Sequence, residues 1–462
     1  MDTDQKQERV ALVVAAIASF TGPIMFSAVN VALPAIQKEF SVHAVQLGWV
    51  PTSLMLSMGV WLVPMGKIAD IYGRKKIFMF GLLLNTLASL FACFAGSVEM
   101  LIGCRVLQGV AMAMSTVTGL AIVTSVFPPQ KRGKAMGVYV SAVYMGMSVG
   151  PFLGGFFTQH LGWRSLFLIV ALVCGVSFYI TWGYLKGEWA EAKGEKLDIL
   201  GCILYGIAIL ALVYGATVLP EMKAVYLIAI GIVSLVAFIR HELKTSFPIF
   251  EIRLLTSNRL FAFSSLAALI NYSATAAITF LLSLYLQYIK GLSPQYAGFF
   301  LMVQPVFMAT LSPVAGKWSD RGEPRKIASS GMAITTIGLF LFAFIGMETS
   351  KIYIVCTLAT VGLGFAMFSA PNMSAIMGAV EKKYLGVASG TVSTMRLLGQ
   401  MTSMAITMVV FSLFLGKEEI SPANYDLFLR SIYVSFLIFA ILCVIGIVFS
   451  FIRGSKNNIN GR

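Results

Sequence analysis

Fourteen predominantly apolar runs recur along this 462-residue chain, thirteen of them about 20 residues or longer, the length that crosses a hydrocarbon layer as a helix. Lipid offers no partner to a backbone N–H or C=O, so a spanning segment must be a helix or part of a closed barrel. The runs are continuously apolar instead of alternating, which excludes the barrel. They lie at about 10–36, 46–66, 77–96, 101–127, 135–158, 165–185, 198–219, 224–239, 260–289, 296–316, 327–347, 352–380, 384–415 and 431–452, the eighth being the shortest. With 58% hydrophobic and 12% charged residues, the composition also excludes soluble, disordered, collagenous and disulfide-framed classes.

The net charge of +14 does not indicate a nucleic-acid partner, because the basic residues fall in short runs between apolar segments and not on one clustered face. They read as topology signals. With the N-terminus inside, the inner segments hold 25 Lys and Arg and the outer loops 7, so both termini are expected in the cytoplasm. The opening MDTDQKQER leads into a run too long for a signal peptide and is read as a retained tail. All six cysteines sit inside apolar stretches without CxxC spacing, which points to packing and not to metal or redox chemistry.

The chain also repeats itself. Gly66-Lys67-Ile68-Ala69-Asp70-Ile71-Tyr72-Gly73-Arg74-Lys75-Lys76 follows the second span and is echoed 250 residues later by Gly316-Lys317-Trp318-Ser319-Asp320-Arg321-Gly322. The stretch from Gly137 matches that from Gly386 at an offset of 249, which pairs Gly150 with Gly399. Two matches at nearly one offset argue for two six-helix halves, residues 1–196 and 258–462, with a two-helix insertion at 197–257 between them.

Four motifs then carry a resemblance to a known family. The GKIADIYGRKK loop, Arg105-Val106-Leu107-Gln108-Gly109 in span four, the GxxxGPxxGG pattern of Gly146, Gly150, Pro151, Gly154 and Gly155 in span five, and Asn30-Val31-Ala32-Leu33-Pro34 with Leu197-Asp198-Ile199-Leu200-Gly201 resemble the major facilitator superfamily. Within it, the chain resembles the fourteen-span drug:proton antiporters over essentially its whole length. The resemblance implies an all-α integral membrane fold of two six-helix bundles plus two inserted helices, in the cell membrane, exporting amphipathic small molecules by alternating access. It also implies a conformational latch at Gly66, Asp70, Gly73, Arg74, Asp320 and Arg321, and an antiporter motif on span five.

The physics of these motifs stands beside the resemblance. Asp70 among Arg74, Lys75 and Lys76 can pair with a basic group or cap a neighbouring helix. Glycines four apart let two backbones approach, and Pro151 removes one helical bond. Arg105 is costly inside a span unless it meets acceptors or an anion. The resemblance implies an acidic partner five residues before Asn30, and Met25 stands there. All twenty acids fall in loops, tails or at helix ends.

Three readings follow: proton coupling through interfacial acids such as Asp70, Asp198 or Asp320; an anionic, zwitterionic or lipid-like substrate countered by Arg105 and Arg396; or uncoupled facilitation. A structural role for Arg105, satisfied by carbonyls, Asn30 or Gln108, stands against the second, and a non-transporting scaffold or sensor is the alternative from another class. Uncharged polar residues within spans complete the expected substrate cavity: Asn30, Gln108, Asn271, Tyr272, Gln304, Asn372 and Gln400 beside Arg105. His43, His160 and His241 lie in loops or at helix ends and build neither a relay nor a metal site. With no P-loop, GxSxG, HExxH or kinase set in a credible context, neither ATP-driven transport nor hydrolysis is supported, and no cofactor is expected. The expected partners are a small-molecule substrate, protons and the lipid bilayer, and the expected state is a monomer.

Overall fold

The computed structural model of the protein describes residues 3–219, 221–321, 323–380, 385–416 and 418–452; the side chains of 3, 4, 129, 130, 133, 134, 320, 321, 385–387 and 389 fall outside that description. Among the described residues every regular element is helical. The first six spans are α1 (Thr3–Phe40), α2 (Ala44–Tyr72), α3 (Arg74–Cys93), α4 (Val98–Val126), α5 (Pro129–Leu161) and α6 (Arg164–Tyr184). A hairpin of α7 (Ile199–Thr217) and α8 (Met222–Glu242) follows, then the short α9 (Ile252–Ser257). The second set comprises α10 (Arg259–Thr275), α11 (Ile278–Leu284), α12 (Pro294–Leu301), α13 (Val303–Arg321), α14 (Pro324–Ala343), α15 (Lys351–Gly378), α16 (Leu385–Phe414) and α17 (Tyr425–Ile452). Fourteen membrane-length apolar helical segments result. The eighth runs over Met222–Glu242, longer at both ends than the sequence suggested.

Helix starts are marked by side-chain caps that satisfy the first free amides. Ser97 accepts from Met100, Asp198 from Gly201, Asn258 from Phe261 and Ser350 from Tyr353. Two spans expected to be continuous are broken. The ninth divides between Thr275 and Ile278, where the Ala277 amide leaves the helical ladder and donates to Ser403 Oγ of α16 at 3.0 Å. It ends in a π turn over Tyr285–Ile289. The tenth turns at Met302, where Pro305 has no N–H to give the carbonyl four residues back.

Helices α1 to α6 pack on one another, chiefly as α1 on α5, α2 on α4 and α3 on α4 and α6. Helices α10 to α17 form the second bundle through α10 on α16 and α17, α13 on α15, and α14 on α15 and α17. The repeat read from the sequence has a packing counterpart: Gly150 of α5 abuts Ile24 and Ser27 of α1, and Gly399 of α16 abuts Leu269 and Tyr272 of α10. The hairpin α7–α8 lies along the seam, with Tyr205 donating to the Gly59 carbonyl of α2 at 3.0 Å and Ser412 of α16 donating to the Leu219 carbonyl at 3.2 Å.

Candidate functional site

The two bundles are joined through the outer halves of their helices. Ser283 donates to the Asn30 carbonyl at 2.7 Å, Gln287 to the Val31 carbonyl at 2.9 Å, and Tyr288 to Gln37 Oε1 at 2.5 Å, all between α1 and the ninth span. His160 and Gln159 at the end of α5 bond Gln295 at the start of α12. A second set of contacts toward the outer ends joins α2 to α16 and the segment after it: the Ala44 amide reaches the Glu418 carbonyl, and Thr52 meets Met408.

The glycine segment of α5 has two separate jobs. Gly146, Gly150 and Gly154 face Phe20, Ile24 and Ala28, a second row spaced by four, so α1 and α5 run parallel in backbone contact within one bundle. Gly155 points elsewhere: a Cβ there would strike the Pro294 carbonyl of α12, and a Cβ on Gly298 of α12 would strike the Pro151 carbonyl. This reciprocal contact closes the outer side.

Within the first bundle Arg105 is completely buried. Its Nε donates to the Val50 carbonyl and its Nη1 to Gln108 Oε1, both at 3.1 Å, and Gln108 in turn donates to Ser89 at 2.8 Å. The Phe167 ring lies 6.0 Å from the guanidinium carbon, and Nη2 has no partner among the described residues. Asn30 and Asn271 are equally buried, with both amide atoms unpartnered among the described residues, and Asn372 donates to the Ser264 carbonyl at 3.0 Å. Arg105, Gln108, Asn30 and Asn271 thus lie inside the bundles and not on a surface that a substrate reaches in this conformation. Met25, 1% exposed, faces a small apolar cleft between α1, α5 and α6 lined by Ile24, Leu153 and Val170.

A second polar group lies nearer the cytoplasm. Tyr272 of α10 is half-buried, its ring edge-on to Phe365 at 5.4 Å, with Ser369 and Arg396 close to its hydroxyl. Arg396 of α16 is only half-buried, and among the described residues it forms no ion pair. Tyr139 and Tyr144 of α5, in the other bundle, lie within electrostatic range of Arg396 and Tyr272 respectively. Gln400, one turn along from Arg396, is half-buried, whereas Gln304 is nearly closed off. The sequence reading named Tyr272 and Gln400 for the cavity and offered Arg105 and Arg396 as counter-charges; Arg105 is fully enclosed, whereas Arg396 is half-buried.

At the cytoplasmic surface, Asp70 pairs with Arg74 at 2.8 Å across the corner at Gly73, whose φ of +118° suits only glycine. Arg74 continues to Glu191 at 2.6 Å and Ser125 at 2.7 Å. Lys67 pairs with Glu195 at 2.6 Å, Glu188 accepts the Lys75 amide at 2.8 Å, and the Ala192 amide donates to the Asp70 carbonyl at 2.9 Å. The segment after α6 therefore clamps the loop between α2 and α3. Sequence reasoning missed Glu188, Glu191 and Glu195, although three acids at spacings of three and four facing a loop of Lys67, Arg74 and Lys75 were a readable sign. Gly66 has open space above it, and the Asp320 and Arg321 side chains lie outside the described residues.

The sequence profile described as Major Facilitator Superfamily matches residues 15–404, and again 264–460. The chain belongs to that superfamily. It is 26% identical over 460 residues to the riboflavin transporter RibZ of Clostridioides difficile (strain 630), covering 98% of this transporter and 100% of that one. It is 28% identical to the multidrug resistance protein Stp of Mycobacterium tuberculosis (strain CDC 1551 / Oshkosh), over 84% of this chain and 73% of that one. The fold matches the crystal structure of a bacterial homolog of the human lysosomal transporter Spinster, inward-facing and unoccupied, with a TM-score of 0.71, 17% identity and 97% coverage of each chain. The protein is a multi-pass membrane transporter of the cell membrane, with fourteen spans.

Proposed function

We propose that this transporter exports amphipathic small molecules, loading them from the cytoplasmic side between its two bundles and releasing them outside by alternating access. The observation that carries this reading is one-sided closure: the bonds joining the bundles lie on the outer halves of the helices, while the half-buried Tyr144, Tyr272, Arg396 and Gln400 lie on the inner halves of α5, α10 and α16. The Gly146–Gly155 segment supports export through its likeness to the exporter motif. Each chain carries both bundles and acts as a monomer.

The placement of Arg396 favours neutral or anionic ring compounds over cations. The acids of the described residues sit at span ends, so the inner halves offer tyrosine faces and one guanidinium without an opposing carboxylate. RibZ, by its name a riboflavin transporter, is a relative over the full length, which agrees with a planar ring substrate. Proton antiport supplies the drive in this reading, and Met25 moves the coupling site away from the first span.

The test is efflux from proteoliposomes of riboflavin, fluorescein and ethidium, with and without an imposed pH gradient. Gradient-driven efflux of the uncharged and anionic compounds is expected, with Arg396→Ala slowing fluorescein roughly tenfold and riboflavin less, about the effect of one lost charge-assisted hydrogen bond. Absence of flux from folded protein overturns the transport reading; preferred efflux of ethidium, unchanged in Arg396→Ala, overturns the role of Arg396.

A further inference from the structure

The base of the inserted hairpin holds a titratable cluster that neither the closure nor the substrate site uses. Glu242, the last residue of α8, is only 2% exposed although it lies where the span meets the cytoplasm. Its Oε2 accepts the Phe250 amide at 3.1 Å, while Oε1 is buried and has no hydrogen-bond partner among the described residues. What Oε1 faces is unusual: a Cβ on Gly201 would lie 2.7 Å from Glu242 Oε1 and 2.6 Å from Asp198 Oδ2, so two carboxylate oxygens share the space above a single bare Cα. Asp198 is fixed in place. Its Oδ1 accepts the Gly201 amide at 2.9 Å, and both its oxygens lie 2.8–2.9 Å from His241 Nε2.

Two ionised carboxylates cannot occupy one dry space without something positive between them. The groups facing Glu242 are Asp198 and Cys202 from α7, His241 from its own helix, and the backbone amides of Ile249 and Phe250 from the connection that follows. Among the described residues no lysine or arginine pairs with Glu242, and no group of three His, Cys, Asp or Glu is arranged to hold a metal ion. His241 Nε2 is taken up by Asp198 and makes no bond to Glu242, so the occupant that satisfies Glu242 Oε1 is a proton.

We propose that Glu242 and Asp198, steadied by His241, form a proton-binding site open to the cytoplasm, with the proton on Glu242 and donated to Asp198. Its occupancy controls how the connection 243–258 docks on the hairpin. With the proton bound, Glu242 is neutral, Oε1–H meets Asp198, and Oε2 keeps Phe250 in place. With the proton gone, the two carboxylates repel, water enters, and the connection leading into α10 loosens. The hairpin leans on α2 through Tyr205 and on α16 through Ser412, one helix from each bundle, so the docked connection braces both. Because the cluster lies at the cytoplasmic ends of α7 and α8, it senses the internal proton concentration and does not carry a proton across. This goes beyond the export reading, and the binding site itself does not depend on it.

The experiment is infrared difference spectroscopy of the purified full chain in lipid nanodiscs, with hydrogen–deuterium exchange of segment 243–258 in the same samples. A carboxylic-acid carbonyl band is expected at neutral pH, absent in Glu242→Gln and retained in His241→Gln. Exchange of 243–258, corrected for intrinsic rate, should rise roughly tenfold as alkaline pH removes the band, and stay low throughout in Glu242→Gln. Should Glu242→Gln fail to fold, Asp198→Asn must shift the same band. Lack of the band in folded wild-type protein overturns the proposal, as does its survival in Glu242→Gln. Protection that follows sodium concentration and not pH would assign the space to a metal cation instead, and also overturns it. Both readouts are independent of transport, so a failure of efflux and a failure of the proton site are told apart.

Discussion

Gly155→Ala is the substitution that most directly probes outer closure. The added methyl meets the Pro294 carbonyl, a backbone atom that cannot rotate out of the way, across the boundary between the bundles. Overpacking of this kind costs about 2 kcal/mol, and the bundles relieve it by parting at their outer ends. If the outward-open arrangement is free of the clash, the ratio of outer-closed to outer-open molecules falls roughly 30-fold. Gly298→Ala, whose methyl meets the Pro151 carbonyl from the other bundle, should do the same. Gly154→Ala is the control: its Cβ would lie 2.5 Å from Ala28 Cα inside one bundle, so it should lower thermal stability and leave closure unchanged. Spin labels at Gly96 and Glu348, on outer loops of opposite bundles and in a background lacking the exposed Cys356, report the separation by double electron–electron resonance. A distance distribution in folded Gly155→Ala that matches wild type would refute the reasoning, and so would an equal response in Gly154→Ala.

Two further predictions concern the first bundle. Arg105→Ala removes the bonds to Val50 and Gln108 and leaves a cavity beside Phe167, so a stability loss of about 2–5 kcal/mol and loss of transport for all substrates alike are expected; an altered charge preference at unchanged melting temperature would instead make it a substrate contact. Neutralising Glu188, Glu191 and Glu195 together to Gln removes partners that are themselves part-exposed, so about 1–2 kcal/mol is lost. Deuterium uptake across 186–196 should then rise roughly tenfold, and added salt should mimic the effect in wild type; uptake insensitive to both would show that the segment is held by its backbone bonds alone.

Most of the architecture was legible because the membrane makes backbone satisfaction obligatory, so length and apolarity mark each span with little ambiguity. The division of the ninth span was not legible. Its ATAAITF sequence holds no glycine or proline, and the break is supported from another helix by Ser403, 126 residues away. For the candidate site, residue type found the polar positions and depth could not sort them. Arg105 and Arg396 look alike on the chain, yet one is enclosed by Val50, Gln108 and Phe167 while the other is half-buried beside Tyr272, within electrostatic range of Tyr139 of the other bundle. The His241–Asp198 pair likewise escaped a sequence reading that placed every histidine at an unremarkable helix end, because α7 and α8 bring the two together only as a folded hairpin.

The clamp on the loop after α2 also bears on how the chain is made. Lys67, Arg74 and Lys75 are part of the positive charge that retains this loop on the cytoplasmic side, yet in the finished protein the Lys67 and Arg74 side chains are each engaged by an acidic residue 128 or 117 positions later, and the Lys75 ammonium by the Leu185 carbonyl. During synthesis those acids do not yet exist when α2 and α3 enter the bilayer, so the loop meets the insertion machinery and the anionic headgroups with its charge bare. Only after α6 has emerged does the segment carrying Glu188, Glu191 and Glu195 arrive to cover it. The orientation signal is thus temporary, strong while topology is being decided and masked once it has been, and moving these acids ahead of residue 67 would be expected to weaken orientation without removing a single basic residue.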